Sequence, residues 1–113
     1  MRYSILALLL LPMIAHAEVI EKWECVDFPN GKEVIAIASV DKGRKTGTIQ
    51  VAGVTYDAAY KISGFERLWL FGDDPEDKDK YGYFFKVEPN GMAIYYEYSL
   101  LIPKIKMKCK NTK

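Results

Sequence analysis

Cys25 and Cys109 are the only thiols in this 113-residue chain, and His16 is its only imidazole. Nucleophilic catalysis through a Ser–His or Cys–His pair needs an imidazole beside the nucleophile, and zinc and copper sites usually use one as well. His16 falls within a segment that reads as a removable leader, so the remaining chain is expected to lack all of this chemistry. The two cysteines are 84 positions apart, far from the C-x-x-C spacing of a redox-active pair. In an oxidising compartment an isolated pair of this kind closes into one structural disulfide, and Cys25–Cys109 is predicted to do so. Serine beyond the leader is limited to Ser39, Ser63 and Ser99, with no G-x-S-x-G motif and no glycine-rich phosphate loop. Glycoside hydrolysis by carboxylates alone needs a pair facing each other across a cleft. The acids here read as one loop cluster plus scattered outward positions. The expectation is a non-enzymatic protein without a cofactor.

The acidic cluster runs from Gly72 to Lys80 as Gly-Asp-Asp-Pro-Glu-Asp-Lys-Asp-Lys. Counted from Asp77 as the first position, Asp79, Gly82 and Glu88 take the third, sixth and twelfth positions of a calcium loop. Tyr81 takes the fifth, where a side-chain oxygen ligand belongs, and Tyr83 to Val87 alternates like a strand where an EF-hand begins its second helix. A solvated hairpin loop, its charge partly offset by Lys78 and Lys80, is therefore the favoured reading, and no metal is assigned. Asp77, Asp79 and Glu88 stay as a weak calcium candidate, with a looser set of Asp73, Asp74, Glu76 and Asp77 beside it.

The leader is residues 1–17. Arg2 supplies the positive start, Ile5 to Leu11 an unbroken apolar run, and Ala15-His16-Ala17 a small-x-small end of the kind a signal peptidase cleaves. That run falls well short of the ~20 residues that span a bilayer, and no cysteine follows the cleavage point for a lipid to modify. The product, residues 18–113, is expected to be periplasmic or secreted, without a membrane anchor. It is long enough for a single domain. Without Arg2 it carries 15 basic and 15 acidic residues, a balance that argues against a nucleic-acid partner.

The elements that must position these residues are strands. Val54, Tyr56, Ala58, Tyr60 and Ile62 alternate with polar neighbours, as do Tyr81, Tyr83, Phe85 and Val87, and Met92, Ile94, Tyr96 and Tyr98. Ile105, Met107 and Cys109 alternate with Lys104, Lys106, Lys108 and Lys110, so one face is buried and the other is a lysine ladder. That ladder reads as protection of a terminal strand against edge pairing. Trp23 and Cys25 share a face, which lets both cysteines point inward. Further strands are read over 32–41, 46–52 and 67–72. Pro29-Asn30-Gly31 and Pro89-Asn90-Gly91 offer Asn-Gly for tight hairpins, and 41–45 and Ser63-Gly64 mark other turns. About eight short strands and no helix make an all-β fold: a small antiparallel β-barrel or compact sandwich, closed by one disulfide. Strands 81–87 and 92–98 carry aromatic residues on both faces, so one aromatic face must be the less buried, either as a contact surface or as a second small core.

Several of these features resemble the C-type lysozyme inhibitors of the bacterial periplasm, membrane-bound and periplasmic. These are small exported antiparallel barrels braced by cysteine, with an early aromatic-x-Cys and a later Ser-Gly-x-x-Tyr. Trp23-Glu24-Cys25 is similar to the first element, followed by Asn30-Gly31 and the strand 33–38. Val51-Ala52-Gly53-Val54-Thr55-Tyr56 resembles the family's small-residue hairpin, and Ser63-Gly64 falls where the second motif begins. The likeness covers roughly residues 23–72 and the closing Cys109. Arg67 stands where the motif has Tyr, with Phe65 and Glu66 before it. The resemblance implies a loop that enters the lysozyme cleft, with Ser63, Gly64, Phe65 and Arg67 as its contacts.

Three functions are compatible with this chain. The first is an exported binding protein acting on a protein partner, c-type lysozyme being the one the resemblance implies. The second is a lipocalin-like carrier of a small apolar ligand, since eight strands leave room for side chains or one small molecule. The third is a structural or secretion-associated component. The oligomeric state is not specified by the sequence.

Overall fold

Alternation with a period of two gives eight antiparallel strands in a computed structural model that describes residues 18–73, 80–97 and 102–113. They are β1 (Val19–Asp27), β2 (Val34–Asp41), β3 (Thr46–Val51), β4 (Val54–Ser63), β5 (Glu66–Asp73), β6 (Tyr81–Val87), β7 (Met92–Glu97) and β8 (Ile102–Asn111). Each strand pairs with the next, and β8 returns to pair with β1. The sheet is thus a closed up-and-down barrel, and the described residues include no helix. The leader, residues 1–17, lies outside the described residues, as do 74–79 and 98–101.

Closure is fixed covalently. Cys25 of β1 lies directly opposite Cys109 of β8 in register, and the two are disulfide-bonded with Cα atoms 4.0 Å apart. Both are buried, as the inward face shared with Trp23 and Met107 requires. Joining residues 84 apart removes about 4–5 kcal/mol of chain entropy from the unfolded state in the loop-closure picture. Lys106, Lys108 and Lys110 point outward into solvent. Because β8 has hydrogen-bonded neighbours on both sides, the ladder protects no edge, and it is simply the wet face of a closed sheet.

Large side chains fill the barrel and small ones make room for them. Trp69, Phe71 and Phe85 are the largest fully buried groups, and Ala36, Ala38, Ala58 and Ala93 line the wall around them. The Trp69 indole crosses the interior and donates Nε1–H to the Ser39 carbonyl of β2 at 2.8 Å. Gly47 permits that crossing. A Cβ there would collide with the Ser39 carbonyl and stand 3.1 Å from Trp69 Nε1. The alternation read for β4 does face inward, but this ten-residue strand overshoots both rims. Its middle residues, Ala58 and Tyr60, are buried, whereas its ends, Val54 and Ile62, are 51 % and 53 % exposed. On β7 the inner residues are Ala93 and Tyr95. Met92, Ile94 and Tyr96 take the outer face, half-buried, with the Tyr96 ring 4.8 Å from that of Phe84. Aromatic residues on both faces of β6 and β7 are therefore present as read.

The tight hairpins sit elsewhere than at the Asn-Gly pairs. β3 and β4 are joined by Ala52-Gly53, both at positive φ (53° and 80°), the signature of a type I′ turn. β4 and β5 are joined by Gly64-Phe65 alone. Asn30-Gly31 lies within a six-residue loop, 28–33. Pro89, Asn90 and Gly91 form a wider turn closed by the Gly91 N–H donating to the Glu88 carbonyl at 2.9 Å. Proline explains the widening: its fixed φ near −65° suits the first corner of a type I turn and not of the primed types.

Candidate functional site

The up-and-down order gives the barrel two unlike ends. One carries the start of β1, the 42–45 and 64–65 turns, the 88–91 turn and the C-terminus. The other carries the 28–33 loop and the 52–53 turn, and β5 and β7 end there where β6 and β8 begin.

At the first end, period two places Glu21 on the inward face with Trp23 and Cys25, and Arg67 on the inward face with Trp69 and Phe71. Glu21 is only 7 % exposed, so its carboxylate needs partners in place of water. It has three. Arg67 donates from Nε at 2.8 Å, Arg44 from Nη1 at 2.9 Å, and the Trp23 indole from Nε1 at 2.9 Å. The Arg67 guanidinium also lies over the Trp23 ring, 5.0 Å from its centre. Burial alone would raise the Glu21 pKa, but hydrogen bonds from Arg67, Trp23 and Arg44 outweigh it and hold the group at about 2. The same carboxylate raises the Arg67 pKa, against the opposing pull of burial. Tyr60 closes the floor of this cluster, 5.0 Å from Trp69 between ring centres. Burial and the Glu21 charge push its phenol upward, while Arg67 and Arg44 pull the other way.

Arg44 reaches Glu21 from the 42–45 turn, where it holds a left-handed φ of 59°. A non-glycine residue there costs about 1–2 kcal/mol, and the ion pair with Glu21 offsets part of it. Glu21 therefore ties two neighbouring hairpins to β1, one through Arg44 and the other through Arg67.

The 63–67 segment is the second of those hairpins. Gly64, at φ 63°, occupies the first corner of the two-residue turn, where a side chain would be strained. Phe65 occupies the second and stands 86 % exposed, the most exposed large hydrophobic residue among the described residues. Ile62 lies beside it, also exposed, so the tip is an apolar point on an otherwise charged end. Of the four contact residues predicted, Ser63, Gly64 and Phe65 come together in the solvent. Arg67 lies within the rim, with its guanidinium held by Glu21 and Trp23, so it braces the hairpin from below.

The acids were read as a loop cluster plus outward positions, and Glu21 corrects that reading. A signal was present: a carboxylate in strict alternation with Trp23 and Cys25 on an inward face must find a cation. Arg67, alternating with Trp69 and Phe71, was the matching one. Arg44 had no such signal, since only the 42–45 turn geometry aims it at β1.

At the calcium candidate, Asp77 and Asp79 lie outside the described residues. Residues 81–87 form β6, so Glu88 is separated from residue 80 by a full strand, and its carboxylate lies 3.9 Å from Lys86 Nζ. Among the described residues no group of three His, Cys, Asp or Glu side chains could hold a metal ion.

At the second end, Tyr56, Phe71, Tyr83 and Tyr95 stack across one side of the mouth. Phe71 lies 5.2 Å from Tyr56 and 5.6 Å from Tyr83, and Tyr83 is nearly parallel to Tyr95 at 6.0 Å. The other side, between β2–β3 and β8, holds an open cavity of about 560 Å³. Burial, and then Tyr83 nearby, pushes the Tyr95 phenol upward, so it stays neutral across the physiological range.

No protein-family model, curated protein or solved structure matches this chain.

Proposed function

We propose that the chain is an exported, non-enzymatic binding protein that engages a protein partner through its 63–67 hairpin, with c-type lysozyme as that partner. The observation that carries this reading is Phe65: a large apolar side chain, 86 % exposed, at the tip of a two-residue turn whose base is pinned by Glu21 and Arg67. An exposed aromatic residue on a rigid mount loses little freedom on binding and can fill a pocket on a partner. The lysozyme assignment rests on the resemblance carried by Trp23-Glu24-Cys25 and Ser63-Gly64. Export rests on the leader and fits the Cys25–Cys109 disulfide.

Lysis of a bacterial cell-wall suspension by c-type lysozyme tests this directly. Protein purified from an exporting host should slow lysis at equimolar amounts. Phe65→Ala should weaken that effect by tenfold or more, because truncating a central aromatic anchor costs about 2 kcal/mol or more. Undiminished lysis at a large molar excess of the unmodified protein would rule lysozyme out as the partner.

A further inference from the structure

The cavity at the end opposite the hairpin is unused by the proposed contact. It opens between β2–β3 and β8 and is lined by Ile35, Val51, Tyr95, Ile105 and Met107, with the Ala52-Gly53 turn at its lip. Its volume, about 560 Å³, lies within the 300–1,000 Å³ of small-molecule sites. In a chain with 27 % charged residues, no Asp, Glu, Lys, Arg or His lines it among the described residues. Among the described lining residues the polar side chains are the Tyr95 phenol and the Gln50 amide. A charged ligand would lose its hydration here with no charged side chain among these described residues to replace it. Met107 offers a polarisable wall that adapts to shape, and Tyr95 an aromatic one.

The rim supports the same conclusion. Phe28 and Val34, at the two ends of the 28–33 loop, are 46 % and 47 % exposed, and Val54 follows the lip turn, exposed as well. Val34 itself lines the mouth, so exposed apolar surface continues from the cavity onto the rim, as at many binding sites. Tyr95 forms a wall shared between this cavity and the Phe71–Tyr83–Tyr95 aromatic cluster beside it.

We infer that this mouth is a binding site for a neutral, largely apolar small molecule, one per chain, with the Tyr95 hydroxyl as its polar contact. The site is independent of the hairpin, which lies at the far end of the barrel.

Titration with N-phenyl-1-naphthylamine, a neutral apolar fluorophore, tests it on protein purified from an exporting host. Saturable fluorescence enhancement at one site per chain is expected. Val51→Trp, which fills the cavity, should weaken binding by at least tenfold, whereas Phe65→Ala should leave it unchanged. Absence of saturable binding overturns the inference. So does undiminished binding by a Val51→Trp variant that keeps the native near-UV circular dichroism. If that variant fails to fold, nuclear Overhauser contacts between the bound probe and the Met107 methyl group decide the matter in the unmodified protein, and their absence overturns the site. A chain that binds the probe but leaves lysozyme untouched would keep this site and exclude the lysozyme assignment alone.

Discussion

Glu21 is the single carboxylate on which one end of the barrel depends. Its pKa is held at about 2 in the folded protein against an ordinary 4.5, so the folded state binds this proton more weakly than the unfolded chain. The resulting stabilisation is fully present above about pH 4.5 and is lost as pH falls toward 2. Its size is on the order of 2–3 kcal/mol, allowing for screening at the half-exposed Arg44. Glu21→Gln should therefore be less stable than the parent by about that amount at pH 7, with the gap closing between pH 4.5 and 2. Urea unfolding at a series of pH values measures it, and a gap that stays constant with pH would contradict the charge-based role. The variant should also loosen the two hairpins tied to β1. Much of this was legible from the residues, because Glu21-x-Trp23-x-Cys25 and Arg67-x-Trp69-x-Phe71 each put a charge on an inward face. Which cation meets which anion was not legible, since it depends on the barrel bringing β5 and the 42–45 turn beside β1.

At the scale of elements, strand existence and face follow from alternation wherever one face is clearly apolar, as in β1, β4 and β8. β7 shows where that rule fails. Its more apolar set, Met92, Ile94 and Tyr96, lies outside, because the inner position opposite Met107 and Val87 has room only for Ala93. Packing volume, which no local pattern reveals, decided the face. The turns at 41–45 and Ser63-Gly64 lie where the sequence marks them, and it is the tightness of the Asn-Gly turns that differs. Asn-Gly signals tight hairpins, but the prolines before Asn30 and Asn90 widen those turns, and the two-residue corners are Ala52-Gly53 and Gly64-Phe65. Ala52 is held at φ 53° without the backbone freedom that the turn favours. Ala52→Asn should therefore raise stability by about 0.5–1 kcal/mol, since asparagine tolerates the left-handed region. Thermal unfolding measures it, and a loss of stability would argue against a type I′ turn at this corner.

For the whole molecule, closure is the organising fact. A chain of this size buries a limited core, and the Cys25–Cys109 bond joins the two strands that complete the barrel. Replacing both cysteines by alanine should cost about 4–5 kcal/mol, a large part of the 5–15 kcal/mol typical of a whole domain, and guanidinium unfolding would read it as a lowered midpoint. Closure also sets the functional geometry: strand direction alternates, so the braced end with its exposed Phe65 tip and the end with the cavity lined by Ile35, Val51, Tyr95 and Ile105 lie at opposite ends of one barrel. The two-ended character was not legible in the sequence, because it depends on which loops the barrel gathers together. The claim that one of those ends is the partner-binding face is tested most directly by titrating unlabelled c-type lysozyme into the ¹⁵N-labelled protein and following the backbone amide resonances. Shifts concentrated in residues 62–67 and the adjoining 42–45 turn, with the β8 lysine face and the 52–53 turn unmoved, are the expected result. An unchanged spectrum, or shifts confined to the opposite end of the barrel, would contradict it.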